Sequence, residues 1–130
     1  MIPPMAPKFK YCPFCKSPLK TKKDGGITRE ICPKDGYVHY ANPLPAAGVV
    51  IVKEGKVLLV KRKFEPWKGL WQAPAGFIEW EETPEESAIK EAKEETGLDV
   101  ELMGLFDVRQ ISQDPRGRII LVLYTAKIVG

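Results

Sequence analysis

Glu91, Glu94 and Glu95 stand at i, i+3 and i+4, and Lys90 and Lys93 are the only cations around them. On a helix turning by about 100° per residue the three acids share an arc of about 100°, and neither lysine falls inside it. Like charges at these spacings cost an isolated helix a few tenths of a kcal/mol per pair. A divalent cation converts that repulsion into ligation. Carboxylate oxygens without Cys or His favour a hard ion, Mg2+ or Mn2+, over zinc or copper. Such an ion neutralises phosphate charge and lowers the pKa of a bound water, while a spare carboxylate accepts a proton. The competing reading is a solvated acidic face, the commoner fate of a Glu-rich helix. Nine of the seventeen acids lie between Gly76 and Asp99, so this segment carries −7 against +10 in the rest of the chain.

The elements that must present these acids are readable from local signals. Thr83 is an N-cap, Pro84 the first helical residue, Glu86 the acid of a capping box, and Gly97 a left-handed C-cap, which predicts a helix from about Pro84 to Thr96. Before it, Ala46 to Val52 and Val57 to Val60 read as strands joined by a hairpin turn at Lys53-Glu54-Gly55-Lys56. Phe64 to Pro74 is an aromatic loop containing Trp67 and Trp71. After the helix, Val100 to Ile111 and Ile119 to Val129 read as strands separated by the turn Asp114-Pro115-Arg116-Gly117. A mixed α/β sheet domain follows.

Gly76, five residues, Glu82, seven residues, then Lys90-Glu91-Ala92-Lys93-Glu94-Glu95-Thr96-Gly97-Leu98 resembles the Nudix box of MutT-like hydrolases, G-x5-E-x7-R-E-U-x-E-E-x-G-U with U aliphatic. One defining position departs: Lys90 stands for Arg. The resemblance implies an α/β/α sandwich around a mixed sheet, and hydrolysis of the pyrophosphate bond of a nucleoside diphosphate derivative on a divalent ion. It makes Glu94 and Glu95 metal ligands, Glu91 a third ligand or the general base, and Gly76 a point of close backbone approach to substrate. Glu79 and Glu82 become outer-shell or capping acids. Lys90 takes the place of the residue that orients the adjacent glutamate, a task for which a flexible ammonium lacks the planar fork. Many members carry Gly where Trp80-Glu81 stand. Arg62 and Arg109 are candidate phosphate contacts, and Trp71, Trp67 and Phe64 candidates for stacking on a base.

The N-terminal residues carry sulfur. Cys12-Pro-Phe-Cys15, sixteen residues, then Cys32-Pro-Lys-Asp35 has the spacing of a four-ligand zinc ribbon with Asp as its last ligand, and His39 is the alternative fourth. With Tyr40-x-Asn42-Pro43, the segment resembles the ribbon ahead of the catalytic domain in the NADH pyrophosphatase group. The longer motif marking NADH-cleaving members downstream of the box is absent, so ADP-ribose and NADH-like dinucleotides stand together as the favoured substrate class. The organisation expected is a zinc-ribbon-like module over 1–44 and a Nudix hydrolase domain over 45–130. The alternative reading is a Nudix fold that senses a nucleotide or binds RNA without cleaving it, with the Lys90 departure as its support.

Composition excludes other classes. The chain of 130 residues is 44% apolar and 28% charged, ordinary for a folded protein. No run is long and apolar enough for a membrane span or a signal peptide, which makes a cytoplasmic location the default. Eight basic residues against three acids over the first forty give a mildly basic surface, too weak to predict nucleic-acid binding. The chain ends directly after an apolar strand, where the resembling fold continues through another strand and a helix, so the C-terminal part of that fold is expected to be missing. An uncovered strand predicts self-association, with a homodimer its simplest form.

Overall fold

The computed structural model describes residues 6–130, which divide into two compact units, 6–42 and 43–130. The first unit is a three-stranded antiparallel sheet of β1 (Lys20–Asp24), β2 (Ile27–Ile31) and β3 (Val38–His39), in that order. Its interior contains little hydrocarbon. Cys12, Cys32, Glu30 and His39 are its buried side chains, and His39 lies flat on Phe9 with ring centroids 3.8 Å apart while its Nδ1 meets Glu30 Oε1 at 2.9 Å.

The second unit contains β4 (Leu44–Lys53), β5 (Lys56–Val57), β6 (Val60–Lys61), β7 (Trp71–Gln72), β8 (Ala75–Phe77), α1 (Pro84–Thr96), β9 (Val100–Ile111) and β10 (Ile119–Ile128). Its main sheet runs β5-β4-β10-β9, with β8 also pairing β4. β4 and β10 are parallel, their register running from Leu44 with Ile119 to Ile51 with Ala126, and every other pairing is antiparallel. The sheet is therefore mixed, as expected. β4 is buried on both faces through Ala46, Ala47, Val49 and Ile51, which explains its nearly unbroken apolar sequence.

The hairpin turn is the two-residue loop Glu54-Gly55, both at positive φ, a type I′ geometry that matches strand twist. The strand expected over Val57 to Val60 is split: the chain leaves β4 after Leu58 and β6 pairs with β7 as a separate ribbon. Leu58 packs against the core while Leu59 is exposed.

α1 begins and ends where its caps predicted. Thr83 accepts from the Glu86 amide, Glu86 accepts from the Thr83 amide, and the Gly97 amide closes on the Lys93 carbonyl. Its buried face is Ser87, Ala88 and Ala92, small residues that let the helix lie close over Val49 and Ile51. α1 covers one side of the sheet. It is the only helix among the described residues, so the second helical layer of the expected sandwich is not among them. No helix is long and apolar enough to cross a membrane.

Candidate active site and metal centre

Helical geometry sorts the three box glutamates. At about 100° per residue Glu95 falls between Ala88 and Glu91 on the wheel, within the arc spanned by the buried Ser87, Ala88 and Ala92, whereas Glu94 lies just outside that arc beside Ser87. Partial burial, first, and then the Glu94 charge raise the Glu91 carboxyl, with Lys90 opposing. Burial likewise pushes Glu95 up to about 7, the Glu91 charge adding to it while the Ala75 amide and Arg62 pull the other way. Because Glu95 as a residue stays exposed, water moderates the effect; its direction follows from acids crowded at a sheet edge with too little positive charge.

Two glycines set the backbone beside these acids. At Gly48 a Cβ would strike the Pro74 carbonyl and Ala75, so β8 could not pair with β4 as closely as it does. At Gly76 a Cβ would fall on the Glu91 carboxylate itself. Bare backbone is thus required between β8 and α1.

Lys90 does not swing free. Its Nζ lies 2.7 Å from Glu82 Oε2 and 4.0 Å from Glu91 Oε1, bridging the approach loop and the helix. Glu82 in turn accepts the Glu79 amide at 2.8 Å, and its own amide donates to the Glu79 carbonyl. The Lys90 ammonium holds the Glu82 carboxyl below its ordinary value, helped by the Glu79 amide, and Glu82 raises Lys90 in return. Glu82 is therefore a loop cap tied to a cation, while Glu79 is exposed.

Gly76 also lines a cleft of about 190 Å³, to whose wall none of Glu91, Glu94 and Glu95 contributes. Arg62 lines it, with Nε donating to the Pro66 carbonyl at 2.6 Å and Nη1 to Gln72 Oε1 at 3.2 Å. Arg109 and Trp71 are not brought there. Arg109 stands on the solvent side of β9, its guanidinium taken by Asp107 at 3.0 Å. Trp71 is 62% exposed on the β6–β7 ribbon, beneath Lys61. Phe64 is exposed, whereas Trp67 lines the cleft. Sequence reasoning passed over Asp114 and Arg116, which also line it. They stand in a segment that reads as an ordinary turn, and nothing local marks Asp114 as 4% exposed.

In the first unit, Cys12, Cys15, Cys32 and Asp35 bring one ligand atom each within 4.8 Å of one another. Two knuckles of equal geometry produce this. The Cys12 amide bonds the Ser17 carbonyl and the Lys16 amide the Cys12 carbonyl; the Cys32 amide bonds the Tyr37 carbonyl and the Gly36 amide the Cys32 carbonyl. Lys16 and Gly36, at matching positions, both have positive φ. Asp35 hence sits in the second knuckle where Cys15 sits in the first. Its carboxyl is held down at about 2, first by the Tyr37 amide and then by Cys32. His39 is not in the cluster, because Glu30 and Phe9 hold its ring elsewhere. The helix glutamates, by contrast, are not gathered to one point.

The NUDIX domain family model matches residues 42–130. Over 95 residues the chain is 40% identical to an ADP-ribose pyrophosphatase of Methanocaldococcus jannaschii, covering 72% of this chain and 56% of that protein. Over 91 residues it is 37% identical to an NAD-capped RNA hydrolase of Chromobacterium violaceum, 70% of this chain and 33% of that one. The crystal structure of a NUDIX hydrolase from Nitrosomonas europaea superimposes with a TM-score of 0.80 at 35% identity, over 94% of this chain and 69% of the other. The chain thus spans about half, or less, of the length of these two curated relatives. The family match takes in the whole second unit with all its box glutamates, and on that match this chain belongs to the NUDIX family.

Proposed function

We propose that the unit over 43–130 hydrolyses the pyrophosphate bond of a nucleoside diphosphate derivative, an ADP-ribose or NADH-like dinucleotide, with Mg2+ or Mn2+ held by Glu91, Glu94 and Glu95. The observation that carries this reading is the close approach of the Gly76 backbone to the Glu91 carboxylate: the bare backbone that lines a cleft on its own account also abuts the row of acids. The donor set fits the ion, being all oxygen and short of positive charge. Such an ion, once bound, supplies charge neutralisation for the diphosphate and a more acidic water.

The chain's own residues do the rest. Glu91, whose carboxyl burial and the Glu94 charge raise, is either the third ligand or the group that accepts a proton from the attacking water. Lys90, tied to Glu82 in the approach loop, places positive charge 4.0 Å from Glu91, so the Lys-for-Arg departure lends little support to a non-catalytic sensor. Arg62, anchored by Pro66 and Gln72, lines the cleft and acts on Glu95, and would offer a fixed cation to the substrate's phosphates. The names of the relatives, an ADP-ribose pyrophosphatase and an NAD-capped RNA hydrolase, support a dinucleotide-like substrate over a triphosphate.

For the first unit we propose Zn2+ on Cys12, Cys15, Cys32 and Asp35, a closed four-donor set of the structural type. The hydrolytic reading is tested by release of nucleoside monophosphate from a panel of ADP-ribose, NADH and nucleoside triphosphates with and without Mg2+. Turnover of a dinucleotide that EDTA abolishes is expected; nucleotide binding without turnover of any of them would overturn it.

A further inference from the structure

Resting on the hydrolytic reading above for its class of molecule, we propose that the cleft beside Gly76 is the subsite for the substrate's heteroaromatic ring, and that Arg116, clamped by Asp114 and lying on Phe77, is the residue that reads the ring. Arg116 looks like a phosphate contact, yet its charge is already matched. Its Nε donates to Asp114 Oδ1 at 2.9 Å, its Nη2 to Oδ2 at 2.8 Å, and its backbone amide to Oδ1 at 2.8 Å. Asp114 is buried, so this pair is preformed and not a flexible surface contact. A phosphate arriving there would compete with a carboxylate that cannot leave.

The guanidinium instead offers shape. Its Cζ stands 4.9 Å from the Phe77 ring centroid, which leaves the opposite face and edge for a ligand. Nη1 has no hydrogen-bond partner among the described residues, so its donors are available to ring nitrogens or carbonyl oxygens. Away from Arg62 and Gln72 the walls are apolar, with Ala46, Ile111, Ile119 and Leu121 lining the space. Such walls favour an uncharged planar ring and disfavour a polyanion. Size agrees: about 190 Å³ is less than the roughly 300–1,000 Å³ that whole ligands occupy, so it holds one part of a dinucleotide.

Polarity then sets the orientation. Gly76 is a wall of the cleft and abuts Glu91, and Arg62 lines the cleft while pulling on Glu95. The diphosphate belongs at that end and the ring at the Arg116 end. The same array supplies a role for Trp67, whose indole is a lesser contributor to holding Asp114 in its charged form and which forms another part of the wall.

The test uses the zinc-loaded chain, without Mg2+ or Mn2+, titrated with AMP and with ribose 5-phosphate and followed by calorimetry. The ring should make AMP bind about 10-fold or more tightly than ribose 5-phosphate, and Arg116→Ala should bring the two within about 2-fold. Because that variant strands a buried carboxylate and can fail to fold, Phe77→Leu serves beside it, leaving the ion pair intact and costing about 3-fold or more in AMP affinity with ribose 5-phosphate unchanged. On a turned-over dinucleotide, Phe77→Leu should raise KM with kcat within about 2-fold. Equal affinity for the two probes in the unaltered chain, or a preference for AMP that survives Phe77→Leu and any folded Arg116→Ala, would overturn the assignment. Absence of hydrolysis would sink the reaction assigned above while leaving the binding comparison able to decide the subsite.

Discussion

The two groups of metal-type donors in this chain are built on opposite plans. In the first unit three thiols and Asp35 converge within 4.8 Å, each delivered by a knuckle whose backbone bonds leave no freedom. In the second, Glu91, Glu94 and Glu95 stand side by side on a helix, Glu91 half-buried and Glu94 and Glu95 open to solvent. A closed, mainly thiolate set suits an ion that does not exchange, and an open all-oxygen set suits one that must also meet a substrate. Different forces position each set: turn hydrogen bonds for the sulfurs, caps and small-residue packing for the carboxylates.

Breaking the closed set should have the largest effect. Cys32→Ser removes one donor from a unit with almost no apolar core, so residues 6–42 are expected to lose cooperative folding and the chain its bound zinc, read by metal analysis and amide spectra. Retained zinc with unchanged spectra would show that the cluster is ornamental. Breaking the open set should spare folding and abolish chemistry. Glu95→Gln is expected to lower kcat by about 10²–10⁴ with the thermal midpoint unchanged or raised, since it removes one of the crowded charges.

These two sets were legible to different degrees. The Cys-Pro-x-Cys and Cys-Pro-x-Asp spacing reveals the knuckles because a knuckle is a local structure, and the same holds for α1, whose Thr83, Glu86 and Gly97 signals all lie within a turn of its ends. β9 and β10 followed from two strand-like stretches, the second strongly apolar, on either side of a turn containing Pro115 and Gly117. Tertiary outcomes were not legible. Arg109 and Arg116 look alike in sequence, yet one faces solvent with Asp107 and the other is held by a buried Asp114 against Phe77. Val57 to Val60 reads as one strand because nothing local says that Leu58 turns inward and Val60 changes partner.

A smaller effect separates the roles within the open set. Lys90→Met leaves Glu82 and Glu91 without their shared cation, and a fall of about 10-fold in kcat/KM is expected, with Lys90→Arg restoring or exceeding the original rate. A Lys90→Met enzyme with full activity would show that the bridge orients nothing.

The smallest effect is in pH dependence without metal. Glu95 holds its proton more tightly folded, with a pKa of about 7, than its ordinary 4.5. Its contribution to stability is therefore complete below the lower value and is lost as pH rises through the higher one. In EDTA the thermal midpoint of the second unit should drop by a degree or so between about pH 5 and 8 relative to Glu95→Gln, and Mg2+ should remove the difference. A difference of the opposite sign would mean that the Ala75 amide and Arg62 outweigh burial and hold Glu95 as a carboxylate.

The claim that the helix acids hold a metal for a diphosphate is met head-on by a Mn2+ titration followed by electron paramagnetic resonance, on zinc-loaded chain with and without a non-hydrolysable ADP-ribose analogue. Mn2+ should bind, the analogue should tighten that binding, and Glu91→Gln, Glu94→Gln and Glu95→Gln together should abolish it. Mn2+ bound as tightly by that triple variant, or indifferent to the analogue, would contradict the claim.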